Sequence, residues 1–130
     1  MRTIELTHHQ LNDLVWFTDP LIHSPEKEDE ICSRFEKGAL SPPCLVEHDG
    51  HFLVFNGNHR VSVARSYQWT ISCKILENIE DIVHAQSEEM DNRDLSMVSP
   101  LTLEGVVDEL LKGAEQHRYQ DPERYSFRAF

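Results

Sequence analysis

The sequence predicts an α/β fold class (α+β in the arrangement of its elements), and three observations carry that reading. Short runs at 2–6, 44–47, 52–55 and 70–76 are apolar in alternation or throughout, as strands are. Between and after them lie segments whose apolar residues recur every three to four positions, as on one face of a helix. Gly, Pro, Asn and Asp punctuate the joins between the two kinds of run. A length of 130 residues suits one domain, able to bury about two-thirds of the surface its unfolded chain exposes.

Taken in order, Arg2, Ile4 and Leu6 alternate with Thr3 and Glu5 as a first strand, and Leu11, Leu14 and Val15 suggest a helical turn after it. Ser24-Pro25 sets a capping residue before a proline at the first helical position, and Glu26, Glu28, Asp29 and Glu30 suit a first turn. A helix over 25–37 follows, with Ile31, Cys32 and Phe35 as its apolar face and Gly38 as its stop. Cys44–Glu47 and Phe52–Phe55 flank His48-Asp49-Gly50-His51, whose Asp-Gly step is a hairpin signal. A helix over 58–67 would turn Val61, Ala64 and Tyr67 inward, and Thr70–Leu76 resumes strand with Ile71, Cys73 and Ile75 on one face. Asn78 can cap a helix from Ile79 to about Ser87 that uses Ile79, Ile82 and Val83, and Met90–Ser99 reads as loop. Thr102 can cap a last helix with Leu103, Val106, Val107, Leu110 and Leu111 as a core-facing stripe, ending at Gly113. The domain is therefore placed at 1–113, with 114–130 a tail that packs on it or contacts a partner.

Composition excludes several classes. Hydrophobic content of 39% is that of a globular chain, and no apolar run approaches a bilayer span. The N-terminus lacks the apolar core of a signal peptide, so a cytoplasmic location is expected, without a membrane partner. Cys32, Cys44 and Cys73 are isolated and odd in number, as reduced packed thiols are, and the eight histidines show no metal-ligand spacing. The net charge of −11 is concentrated: ten acids against one arginine lie between Glu77 and Glu109. That face disfavours nucleic acid and could dock a basic protein partner. In the tail, Arg118, Arg124 and Arg128 are interleaved with aromatics but offset by Glu115, Asp121 and Glu123.

The candidate site is Gly57-Asn58-His59-Arg60, a glycine turn that leads from a buried strand into a helix. A helix N-terminus carries unpaired N–H groups and the positive end of the dipole, and Asn58, His59 and Arg60 add side-chain donors. A phosphate suits that arrangement. The alternative is structural: Arg60 pairs with a carboxylate and His59 caps the turn.

The order hairpin, Gly-x-His-Arg turn, helix, strand resembles the ParB/sulfiredoxin-like superfamily over LSPPCLVE and DGHFLVFNGNHRVSVARSYQWTISCKIL. The strand at 2–6 and the helix at 25–37 agree more loosely. The resemblance implies a compact domain with a small mixed sheet flanked by helices. It also implies a nucleotide, ATP or another nucleoside triphosphate with Mg2+, whose phosphates lie on Gly57, Asn58, His59 and Arg60. A base drawn from Asp19, Glu26, Glu28 or Glu30 would make the protein an ATP-dependent phosphotransferase or NTPase.

Three departures bear on that expectation. Asn58 stands where sulfiredoxins carry the attacking cysteine, and an amide cannot perform that attack. Asn56 stands where members resembling free-amino-acid kinases have an acid before the glycine, which removes a charge suited to Mg2+. The 54 residues of 77–130 are too few and too acidic for the further domains of chromosome-partition ParB proteins. Two other readings thus stand beside nucleotide binding: a non-catalytic regulatory or inhibitory module using the acidic 77–109 face, and a ParB-like DNA-binding protein or nuclease, which the charge disfavours.

Overall fold

Each predicted strand forms, and together they build one mixed four-stranded sheet. The computed structural model describes residues 1–11, 13, 14, 25–89 and 102–120, except for the side chains of 87–89 and 113–120. The elements are β1 (Arg2–Leu6), α1 (His8–Leu11), α2 (Pro25–Glu36), β2 (Cys44–His48), β3 (His51–Asn56), α3 (Asn58–Ser66), β4 (Ile71–Ile75), α4 (Ile79–Glu89) and α5 (Leu103–Gln120). The expected loop at Met90–Ser99, the Ser24 cap and Val15 lie outside the described residues.

Local chemistry accounts for most boundaries. Thr7 and Gln10 form a capping box at α1: the Gln10 N–H donates to Thr7 Oγ1 (3.4 Å), and the Thr7 N–H donates to Gln10 Oε1 (2.9 Å). Past α2, Gly38 takes φ 69°, which lets the Ala39 N–H reach Arg34 O (2.8 Å) and the Gly38 N–H reach Phe35 O (3.0 Å). This pair of bonds is a Schellman stop. Asp49 and Gly50 close the hairpin with φ 50° and 76°, the double positive φ that a twisted two-residue turn needs. The Asp81 N–H donates to Asn78 Oδ1 (3.0 Å) at α4, and the Gly105 N–H donates to Thr102 Oγ1 (3.0 Å) at α5.

The strand order is β1-β4-β2-β3. β1 is antiparallel to β4, β2 is antiparallel to β3, and β2 runs parallel to β4. Helices cover both faces, so the inner strand β2 buries Cys44, Leu45 and Val46 in succession, whereas β4 keeps the alternation of Ile71, Cys73 and Ile75. On one face Val46, Leu53 and Phe55 pack against Ile82 and Ala85 of α4 and Val106, Val107 and Leu110 of α5. On the other, Leu45, Val54, Cys73 and Ile75 pack against Leu11 of α1 and Val61 and Ala64 of α3.

Three expectations are corrected. Tyr67 is not part of the inward stripe: α3 ends at Ser66, and Tyr67 is 51% exposed, stacked toward Trp69 at a centroid distance of 5.3 Å. Val83 faces outward at 50% exposure, because Ile82 and Ala85 already supply the buried face of α4. The last helix does not stop at Gly113 but continues to Gln120, since one glycine weakens a helix without obliging it to end.

Candidate functional site

The Gly57 turn lies where β3 ends beside the start of β2. Asn56 is the Cα partner of Cys44, and its side-chain Oδ1 accepts a hydrogen bond from the Cys44 N–H at 3.3 Å. Asn56 is only 6% exposed, so its amide bridges the two strands from inside the core. Its Nδ2 and the Oδ1 of Asn58 are both buried, with no hydrogen-bond partner among the described residues.

Gly57 takes φ 94°, ψ 25°, and its carbonyl accepts the first bond of α3 from the Val61 N–H at 3.0 Å. No side chain caps this helix, in contrast to Asn78 and Thr102 on α4 and α5. The first-turn N–H groups of Asn58, His59 and Arg60 therefore gather at an N-terminus that carries the positive end of the helix dipole.

Arg60 folds back over the turn. A Cβ built on Gly57 would meet Arg60 Nη2 at 2.9 Å and Pro43 Cβ at 2.8 Å, which places the guanidinium against the glycine. Its Nη1 donates to the carbonyl oxygens of Ser41 (2.8 Å) and Pro42 (3.4 Å). The loop before β2 thus belongs to the site, and sequence reasoning missed it. The signal was Pro42-Pro43: neither residue has an N–H, and the carbonyls of such a segment invite an external donor.

The proposed bases are not brought to the turn together. Asp19 lies outside the described residues. Glu26 is exposed on the first turn of α2, and Glu30 pairs with Arg34 at 3.1 Å. Glu28 acts electrostatically on Tyr67, beyond the C-terminal end of α3. The nine residues of α3 separate that end from Asn58 by about 13 Å at 1.5 Å per residue.

Of the thiols, Cys32 lies on α2, whereas Cys44 and Cys73 lie on strands beside the turn. The neighbouring Cys32 thiol raises the Tyr67 phenol above its usual range. Cys44 and Cys73 are buried in the core. Burial pushes the Cys73 thiol up to about 12; the nearby Arg60 guanidinium opposes that shift and Cys44 adds to it. Cys73 is thus a neutral thiol at physiological pH, unsuited to nucleophilic attack.

Among the described residues, no group of three or more His, Cys, Asp or Glu side chains is placed to hold a metal ion. The turn offers backbone N–H groups and a guanidinium, donors of the kind that an anion's oxygens accept from. It does not fit Mg2+ as a protein-held ion, because Asn56 is neutral and spends its oxygen on Cys44. Of the acidic face, Glu77 and Asp81 each meet the Met1 ammonium at 3.2 Å, while the side chains of Glu88, Glu89, Asp91 and Asp94 lie outside the described residues.

Among solved structures, sulfiredoxin from Arabidopsis thaliana aligns with a TM-score of 0.49 and 25% identity, over 65% of this chain and 96% of that one. No protein-family model and no curated protein sequence matches the chain. Among the described residues, no helix is long and apolar enough to cross a membrane.

Proposed function

We propose that the protein binds the phosphate group of a nucleotide, ATP or another nucleoside triphosphate, at the Gly57–Arg60 turn. The observation that carries this reading is that α3 alone among α3, α4 and α5 starts without a side-chain cap, at a glycine overlain by a guanidinium. An anion seated there would take the first-turn N–H groups as donors and face the Arg60 charge. His59 adds an imidazole donor on the same turn. The proposal is one of binding rather than turnover, because Glu28 and Glu30 are engaged away from the turn.

The test is an amide-resolved NMR titration with ATP, ADP and inorganic phosphate, each with EDTA and again with Mg2+. The amides of Asn58, His59 and Arg60 should shift, and should do so in EDTA as well. Shifts absent from these three amides for every ligand would refute the proposal.

A further inference from the structure

The hairpin tip brings two imidazoles onto one rung of the sheet. His48 ends β2, His51 begins β3, and the two are direct Cα partners across the Asp49-Gly50 turn. Residues directly opposed on an antiparallel pair project to the same face, with Cβ atoms about 4.5–5.5 Å apart. Two imidazole rings span that gap when each gives one nitrogen to a shared ion at about 2.0–2.1 Å. A sequence separation of three gave no sign of this, since only the hairpin register makes the residues neighbours.

Asp49 completes the arrangement from the outside. Its Oδ2 lies 3.3 Å from His48 Nε2, and the His48 side chain is 40% exposed. A carboxylate on one ring nitrogen holds the proton there and turns the other nitrogen into the lone-pair donor, as in most metal-bound histidines. Imidazole nitrogen selects borderline transition ions over Mg2+ and Ca2+, which favour oxygen.

We propose that His48 and His51 chelate a divalent transition ion, Zn2+, Ni2+ or Cu2+, at the hairpin tip, with Asp49 orienting His48 and water filling the remaining positions. With two protein ligands the site is an exchangeable surface chelate and not a closed structural one. It is independent of the Gly57 turn, which lies at the other end of the same two strands, where Asn56 faces Cys44.

Because the ion would clasp β2 to β3 only in the folded chain, binding should raise the melting temperature by mass action. The test is thermal melting of the full chain with ZnCl2 or NiCl2, followed by excess EDTA, for wild type, His48→Gln, His51→Gln and the double variant His8→Gln/His9→Gln. His8 and His9 are the competing pair, with ring centroids 4.0 Å apart on α1. The expected result is a rise of several degrees that EDTA reverses, that either His48→Gln or His51→Gln removes, and that the α1 double variant retains. An unchanged or lowered melting temperature with both ions overturns the proposal, as does a rise that survives either hairpin variant or disappears in the α1 variant. Paramagnetic broadening by Ni2+ supplies a second reading on the wild-type chain: it should centre on the amides of 48–51, and broadening centred elsewhere overturns the site.

Discussion

Gly57 lies against Pro43 so closely that a Cβ on the glycine would stand 2.8 Å from Pro43 Cβ and 3.0 Å from its Cα. The contact joins the start of the second strand to the start of the third helix, and backbone on one side with a rigid ring on the other leaves little room to yield. Gly57→Ala should therefore combine the cost of a left-handed conformation at φ 94° with a steric clash. We expect a loss of about 2–4 kcal/mol of unfolding free energy. Chemical denaturation measures it, and a loss below about 1 kcal/mol would mean the turn relaxes freely.

Arg60 anchors the loop before the second strand and, in the proposed function, also faces the phosphate, so its substitution should show two effects. Removing the donor to the exposed Ser41 carbonyl and the part-buried Pro42 carbonyl should cost about 0.5–1.5 kcal/mol of stability. If the turn is the phosphate site, Arg60→Ala should also weaken nucleotide binding by about 1.5–3 kcal/mol, roughly ten- to more than a hundredfold. Arg60→Lys should recover part of the affinity, because an ammonium keeps the charge but not the planar fork. His59→Ala should weaken binding less than Arg60→Ala, as a neutral imidazole supplies one donor. Calorimetry on the folded variants decides between the two duties: lost stability with intact affinity would leave Arg60 a loop anchor only.

The thiols should separate by reactivity and by pH. Cys32 is partly accessible on the second helix, so it should alkylate in the native protein, while Cys44 and Cys73 should react only on unfolding. Cys73 rises from 9.0 to about 12 on folding, which means the folded state favours the neutral thiol. Its contribution to stability is full below the unfolded value of 9.0 and is lost as pH rises toward about 12. Denaturation midpoints should thus fall above pH 9 in wild type and fall less steeply in Cys73→Ala, which is less stable at neutral pH because it leaves a cavity. Parallel pH profiles for the two proteins would remove Cys73 as the cause.

Val61 is fully buried on the face of the third helix that meets the sheet. Val61→Asp would place a carboxylate there without a partner, and the domain should fail to fold at neutral pH. Circular dichroism reads the result directly, and a native spectrum with an unchanged melting temperature would show that the helix packs by another face.

The elements were legible in the sequence because their causes are local. The period-two run Ile71, Cys73, Ile75, the Asp49-Gly50 turn, the proline at 25 and the caps at Asn78 and Thr102 each act within a few residues of the structure they set. The Gly57 turn was legible as a strand-to-helix junction for the same reason, its residues being consecutive.

Only the tertiary structure decided what comes from afar. The order β1-β4-β2-β3 and the parallel pairing of β2 with β4 depend on how a buried sheet satisfies backbone groups separated by some thirty residues, as with Cys44 and Lys74. Tyr67 turned outward because the third helix ends at Ser66, and Val83 because Ile82 and Ala85 already fill the buried face of the fourth. The sequence marked Arg60 as a cation at a helix N-terminus; folding alone determined that part of its guanidinium is spent on carbonyls eighteen and nineteen residues upstream. Hydrogen bonds of that reach are set by the approach of two chain segments, and no local pattern encodes such an approach.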